Sequence, residues 1–277
     1  MAVRKTVVKK YKKQNSPNSF FKSILFFRIV VFSVFALVLY SQKESLAYYF
    51  GFKTDKKLYE ATRNESLETV LDAHIEKSFG IDISEYQHSI NWDNIKEIEG
   101  GFPIEFVFIR ATAGSNRVDK KFKKYWQNAR ESNFYQGAYH YYRPNENSTA
   151  QAQNFIKNVT LQKGDFPPVL DIEKLPKNQS ISRLKVGLQN WLDIVESHYG
   201  VKPIIYSGES YYNDFLKEEF SEYYFWIANY STFYTSIDNQ WSIWQVAENG
   251  KIKGITGNVD VNICNGTTED LKKLMIK

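Results

Sequence analysis

The chain has 277 residues and one cysteine, Cys264, so it is long enough for one large domain or two small ones but cannot form an intrachain disulfide. Its formal charge of +5 is unevenly placed, because residues 1–22 hold seven Lys and Arg side chains and no acid, which leaves 29 of the 36 basic residues against 31 acidic ones. This near-neutral body gives no electrostatic basis for nucleic-acid binding.

An apolar segment follows the basic tail. Residues 23–40 read SILFFRIVVFSVFALVLY and carry one charge, Arg28. About 17 apolar residues are the lower limit for a helix that spans a bilayer, and the positive-inside rule places residues 1–22 in the cytoplasm. We therefore predict a transmembrane helix or uncleaved signal anchor at 23–40. The alternative is a signal peptide cleaved after Ala47, and both interpretations place the rest of the chain outside the cytoplasm.

The next segment, residues 41–77, is polar and predicts a partly helical spacer before a globular domain at 78–277. In that domain β-prone runs alternate with amphipathic ones, and three helices are predicted at 120–133, 149–159 and 182–199. Eight strands are predicted at 79–84, 105–111, 137–143, 167–173, 202–208, 223–230, 241–247 and 258–263. The last three strands are too close in sequence for full helices between them. The pattern predicts an α/β fold, a modified TIM-like (β/α) barrel of eight parallel strands with fewer than eight helices.

The fourth predicted strand carries two carboxyl groups in the sequence FPPVLDIEKLP. Side chains alternate along a strand, so Asp171 and Glu173 point the same way about 6.6 Å apart, while Ile172 points into the outer packing layer. Two carboxyl groups held this close cannot both ionise cheaply, so one keeps its proton to higher pH. An acid beside an anion is the pair that glycoside hydrolysis uses. The alternative is an ordinary strand end that enters a polar loop.

Other predicted strand ends favour the catalytic interpretation, since barrel enzymes build their sites where the strands end. Asp82 and Asp260 end the first and last strands, which are neighbours in a closed barrel. Substrate contacts are predicted from polar and aromatic side chains at the other strand ends, namely Arg110, Tyr139, Tyr141, Tyr206, Trp226, Trp244 and Gln245, because aromatic rings can stack on sugar faces.

Metal binding is the main alternative use of such a carboxylate cluster. Oxygen ligands would suit Mg²⁺ or Mn²⁺, whereas zinc is disfavoured because the four histidines show no ligand spacing. His140 is the one histidine at a predicted strand end, and we interpret it as a residue behind the site rather than one that lines it. We expect no metal and no cofactor.

The motifs together resemble the glycoside hydrolase family 25 lysozymes. The matching segments, in the order of the family, are GIDISEYQ with INW, FVFIRATAG with Asp119, GAYHYYRP, PPVLDIE, PIIYSG, FWIANY, WSIWQ and VDVN, which span residues 79–265. The family fold is a modified eight-stranded barrel. Its members are muramidases, which cut the β-1,4 bond between N-acetylmuramic acid and N-acetylglucosamine in peptidoglycan.

The resemblance implies a role for each acid. Glu173 matches the proton donor, Asp171 the partner that stabilises the charged intermediate or orients the substrate acetamido group, and Asp82 and Asp260 the flanking acids. It favours retention with acetamido participation, although a carboxyl separation of about 5 Å or about 6.5–9.5 Å would ordinarily distinguish retention from inversion. Two alternatives stay open: a non-catalytic barrel that binds peptidoglycan, and a metal-dependent polysaccharide hydrolase.

Overall fold

The computed structural model describes residues 27–28, 31–33, 67–230, 236–237 and 240–277. The chain divides into two compact units, residues 1–61 and 62–277, and the second contains the strands and helices named below.

The predicted N-terminal segments fall largely outside the described residues. The basic tail lies there entirely, and of the predicted membrane segment only residues 27–28 and 31–33 are described, both as helix. Residues 67–72, near the end of the predicted spacer, are helical. No helix among the described residues combines the length and the apolar character that crossing a bilayer requires. The membrane anchor therefore stays a prediction.

Ten strands are formed by the described residues: β1 (Phe79–Ile83), β2 (Glu97–Ile98), β3 (Phe102–Ala113), β4 (Arg117–Val118), β5 (Tyr135–Tyr141), β6 (Val169–Asp171), β7 (Ile204–Gly208), β8 (Tyr224–Ala228), β9 (Ile243–Gly250) and β10 (Val259–Cys264). Eight of them close into a barrel in the order β1, β10, β9, β8, β7, β6, β5, β3, because β3 pairs back onto β1. The short strands β2 and β4 each pair with β3 outside this ring. The eight-stranded barrel predicted from the sequence is confirmed.

The helices are α1 (Phe122–Glu131), α2 (Ser148–Asn158), α3 (Ile181–Tyr199), α4 (Glu209–Tyr211) and α5 (Thr268–Leu274). The first three confirm the predicted helices, and α2 and α3 begin at side-chain caps, Asn147 and Ser180, whose oxygens accept from Ala150 N and Arg183 N. The short α4, which continues into a π-helical turn, and α5 were not predicted, because neither has enough turns to show a period. Among the described residues, the barrel from Phe79 onwards thus has fewer than eight α-helices, as expected.

Alternation along the strands separates two apolar layers. The barrel interior is filled by large side chains that include Phe106, Phe108 and Trp226, whereas the intervening residues pack outward against the helices. Two glycines make room for the interior rings: a Cβ atom on Gly80 would lie 2.3 Å from the Phe106 ring, and one on Gly137 would lie 2.2 Å from the Phe108 ring. These glycines let bulky aromatic side chains fill a narrow barrel.

The direction of the last strand differs from the prediction of a parallel barrel. Strand β10 runs antiparallel to both β1 and β9, while the other neighbouring pairs of the ring are parallel. Asp260 was predicted at the end of its strand, but it is the second residue of β10. Because β10 is reversed, its first residues lie at the rim where the parallel strands end, and Asp260 pairs directly with Asp82. The reversal is what brings the two acids together.

Candidate active site

A small cavity of about 80 Å³ opens at this rim of the barrel. Its walls come from β1, β5, β6, β7, β8, β9 and β10. The lining residues are Asp82, Tyr139, Asp171, Glu173, Tyr206, Trp226, Gln245 and Asp260. All eight had been predicted from the sequence as site residues, so the structure brings together the four acids and four of the seven predicted substrate contacts.

Asp171 and Glu173 differ in their exposure to solvent. Asp171 is the last residue of β6 and is 4% exposed, and its Oδ1 atom has no hydrogen-bond partner. Glu173 lies two residues beyond the strand and is exposed, whereas Ile172 between them is buried in the outer layer. Burial raises the pKa of Asp171 well above its ordinary value, and the neighbouring Glu173 carboxyl raises it further. The buried acid therefore holds a proton strongly.

Asp82 and Asp260 form a second carboxyl pair on the opposite wall. Burial raises the pKa of Asp82 to about 6 and that of Asp260 to about 9, and each acid hydrogen bonds to the other. Asp82 is the better ionised because two amides donate to its Oδ2 atom, Gln245 Nε2 at 2.7 Å and Asn262 Nδ2 at 2.8 Å. At neutral pH this wall therefore carries one proton and one negative charge.

Aromatic side chains form the floor of the cavity. The Trp226 ring is 4.7 Å from the Tyr206 ring and 4.6 Å from that of Phe108, and its edge meets Tyr139 at 6.3 Å. Trp226 is almost fully buried, so its ring supports the cavity from below. Burial also raises the pKa of Tyr139 and Tyr206 well above the ordinary value, which leaves their hydroxyl groups protonated.

Arg110 and Tyr141 lie beside the cavity rather than in its wall. Arg110 Nε donates to Asp119 Oδ2 at 3.1 Å, and its guanidinium lies 4.8 Å from the ring centre of Tyr86. The Tyr141 ring lies 5.5 Å from Lys174 Nζ, next to the two carboxyl groups of the DIE segment. The predicted contacts of these two side chains with substrate therefore stay a prediction.

Trp244 does not reach the site. It is 1% exposed and belongs to the outer apolar layer, where its ring meets Trp241 at 5.9 Å and His74 at 5.8 Å. Its indole nitrogen donates to the carbonyl oxygen of Asn229 at 2.9 Å. Trp244 and Gln245 are consecutive strand residues and must point to opposite faces, so only Gln245 enters the barrel.

His140 also lies outside the barrel interior, as the sequence interpretation preferred. Its Nδ1 atom is 2.7 Å from Thr112 Oγ1, its Nε2 atom is 3.2 Å from Gln151 Oε1, and its ring stacks on Trp191. Burial lowers the pKa of His140 to about 4. The folded protein thus holds this imidazole neutral at pH values where an unfolded chain would protonate it.

This histidine predicts a pH dependence of stability. The pKa of His140 in the folded protein, about 4, lies below the ordinary 6.5. The contribution of neutral His140 to folding stability is therefore full above pH 6.5 and is lost as the pH falls towards 4. The difference in unfolding free energy between wild type and His140→Gln should shrink by on the order of 3 kcal/mol across that window. Urea denaturation at several pH values measures it.

The buried carboxyl groups have the opposite effect, because their raised pKa values stabilise the fold on acidification. They do so equally in wild type and variant, so their contribution cancels in the difference. His198→Gln, at an exposed position of α3, is the matched control for replacing a histidine by a glutamine. A wild-type–variant difference that stays constant from pH 7 to pH 4 would contradict the account of His140.

Sequence reasoning missed two residues of this site. Asn262 is fully buried and donates to Asp82, and the Tyr230 hydroxyl donates to Gln245 Oε1 at 2.6 Å. Alternation was the available signal, because Asn262 follows Asp260 by two residues and Tyr230 follows Trp226 by four, which puts each on the inward face. Within the described residues, no group of three or more His, Cys, Asp or Glu side chains is arranged to hold a metal ion.

Comparison with known proteins gives one consistent result. Residues 81–255 match the family model described as glycosyl hydrolases family 25. "Uncharacterized protein YegX" of Escherichia coli strain K12 is 40% identical over 195 residues, 70% of this chain and 71% of that protein. "Lysozyme M1" of Streptomyces globisporus is 31% identical over 210 residues, 70% of each chain. A family 25 glycosyl hydrolase from Bacillus anthracis superposes with a TM-score of 0.64 at 30% identity, covering 73% of this chain and 94% of that one.

Proposed function

The chain belongs to glycosyl hydrolases family 25 and is a peptidoglycan hydrolase, and we propose that Glu173 and Asp171 cut the β-1,4 bond between N-acetylmuramic acid and N-acetylglucosamine. The observation that carries the assignment of residues is the unequal exposure of the two acids. Glu173 is exposed at the rim, whereas Asp171 lies on the cavity wall with an unpartnered oxygen. Each acid therefore meets a different part of a bound sugar.

Glu173 is the general acid in this proposal. Its exposed carboxyl can approach a glycosidic oxygen, to which it gives its proton as the bond to the anomeric carbon breaks. The resulting carboxylate then takes a proton from the water that attacks the anomeric carbon. The leaving sugar departs as an alcohol, and Glu173 recovers its proton at the end of the cycle.

Asp171 positions the substrate acetamido group. An N–H donor from that group would satisfy the buried Oδ1 atom, which has no partner in the protein. Such a hydrogen bond favours ionised Asp171, so the proton that the two carboxyl groups share moves to Glu173 when the sugar binds. The acetamido oxygen then attacks the anomeric carbon to form an oxazolinium ion, which leads to retention of configuration.

The experiment uses the full chain in detergent with purified peptidoglycan as substrate. Released fragments are reduced with borohydride and identified by mass spectrometry. We expect new muramitol ends, because a muramidase leaves N-acetylmuramic acid at the reducing end of its product. Fragments that end in glucosaminitol would contradict the bond assigned here, and binding without any new reducing end would indicate the non-catalytic barrel.

The location of the enzyme is a separate proposal. The basic residues 1–22 and the apolar residues 23–40 support a single-pass anchor with a cytoplasmic N-terminus and a catalytic domain on the wall side of the membrane. The mass of the mature protein tests this, because cleavage after Ala47 would remove the anchor and release the enzyme. Retention of the full mass in the membrane fraction is the expected result.

A further inference from the structure

Two amides donate to the carboxylate of Asp82, and the orientation of one of them, Asn262, is fixed by a tryptophan. The indole nitrogen of Trp226, which can only donate, lies 2.8 Å from Asn262 Oδ1. The amide oxygen of Asn262 must therefore face the indole, and its NH₂ group must face Asp82 Oδ2, 2.8 Å away. The indole thus orients the NH₂ group of Asn262, rather than its oxygen, towards Asp82.

A second amide donates to the same oxygen. Gln245 Nε2 lies 2.7 Å from Asp82 Oδ2. Its Oε1 atom accepts from the hydroxyl groups of Tyr206 at 2.8 Å and Tyr230 at 2.6 Å. Asn262 and Gln245 are both almost completely buried, so water does not compete for these contacts. Two N–H groups on one oxygen require an acceptor there, which an ionised carboxylate supplies.

We propose that Asn262 is a positioning residue, oriented by Trp226, that holds Asp82 as the ionised member of the Asp82–Asp260 pair and leaves the shared proton on Asp260. The two acids face each other across the β1–β10 ladder, so one proton between them is the low-energy state. The role of this fixed charge in catalysis rests on the function proposed above, whereas the ionisation state of the pair does not.

A fixed negative charge on Asp82 acts on the catalytic pair across the cavity. It raises the pKa of Asp171 and favours the positive charge that develops at the anomeric carbon in the transition state. The titratable and charged groups whose fields reach Asp82 come from several elements; they are Tyr139, Asp171, Glu173, Tyr206, Tyr230 and Asp260. None of these six is a cation, so hydrogen bonds from the two amides and from Asp260 supply the stabilisation of the charge.

The variant Asn262→Leu removes the donor and keeps a side chain of similar size. Loss of a hydrogen bond to the ionised form should raise the pKa of Asp82 by about one to two units. The acid limb of the kcat/KM profile for release of reducing ends should then move to higher pH by the same amount. A smaller shift in the same direction is expected for Trp226→Phe, which keeps a ring but frees the amide to rotate.

A direct titration separates this proposal from the assigned activity. The full chain, labelled with ¹³C at the aspartate carboxyl carbons, is titrated by NMR, with Asp82→Asn and Asp260→Asn used to assign the two signals. In wild type Asp82 should titrate first and Asp260 well above it, and Asn262→Leu should move the Asp82 midpoint upward. The proposal is overturned if Asp260 titrates first, or if that midpoint moves by less than half a unit in a variant whose near-ultraviolet circular dichroism shows a native fold. A wild-type enzyme that releases no reducing ends would instead contradict the proposed function, whatever the titration shows.

Discussion

Glu173→Gln is expected to lower the rate of reducing-end release from peptidoglycan by about 10²–10⁴-fold, the usual contribution of a general acid. The amide has nearly the shape of the carboxyl but no proton to give to the leaving oxygen. Since Glu173 is exposed, the change in unfolding free energy should stay within about 0.5 kcal/mol. Kinetics on purified peptidoglycan and urea denaturation of the same samples measure both quantities.

The nature of the leaving group provides a sharper test of the same residue. A nitrophenyl glycoside of N-acetylmuramic acid loses a stable anion that needs no proton, so Glu173→Gln should slow bond cleavage of this substrate far less than it slows peptidoglycan cleavage. Glu222→Gln is the matched control, because Glu222 precedes β8 at the other end of the barrel and pairs with Lys202. Equal losses on both substrates would show that Glu173 is not the proton donor.

Much of this site could be predicted because strand alternation links chemistry to geometry. Asp171 and Glu173 are two residues apart with Ile172 between them, and the structure places the acids on the cavity and the isoleucine in the outer layer. The same rule places Tyr139 in the cavity wall and His140 behind it. The rule needs only a strand and one inward-facing residue, both of which sequence supplies.

The two errors had different causes. Trp244 was chosen for its ring, although it precedes the inward-facing Gln245 and so points outward. The direction of β10 cannot be read from its six alternating residues, because parallel and antiparallel strands share the same alternation. Asp260 was therefore placed correctly at the rim for the wrong reason. Its position depends on pairing with Asp82, a contact 178 residues away in the chain.

The two carboxyl pairs of the cavity make different use of burial. In the Asp82–Asp260 pair, two amide donors, one of them oriented by Trp226, favour the ionised form of Asp82 before any ligand binds. In the Asp171–Glu173 pair no such donor exists on the free Asp171 oxygen, so the choice is left to the substrate. The Asp82–Asp260 pair thus carries a fixed negative charge, whereas the proton of the Asp171–Glu173 pair can move when substrate binds.

The different roles of the two carboxyl pairs predict a second large effect on activity, at Asp171. Asp171→Asn is expected to reduce peptidoglycan cleavage by about 10²–10³-fold, the cost of removing a group that stabilises charge in the transition state. The asparagine amide can turn its own N–H towards the acetamido nitrogen, where it meets another donor. The substrate group is then no longer held for attack on the anomeric carbon, and the oxazolinium ion loses its counter-charge.

Because this defect concerns the anomeric carbon rather than the leaving oxygen, the nitrophenyl substrate should not rescue it. Asp171→Asn should therefore lose as much activity on the aryl glycoside as on peptidoglycan, the opposite of the pattern expected for Glu173→Gln. A variant at Asp171 that recovers with the good leaving group would assign the proton to the buried acid and reverse the roles proposed here. The rate losses of the two variants on the two substrates therefore form a cycle that separates two roles. A loss that depends on the leaving group assigns the exposed acid to the departing oxygen, and a loss that does not assigns the buried acid to the anomeric carbon.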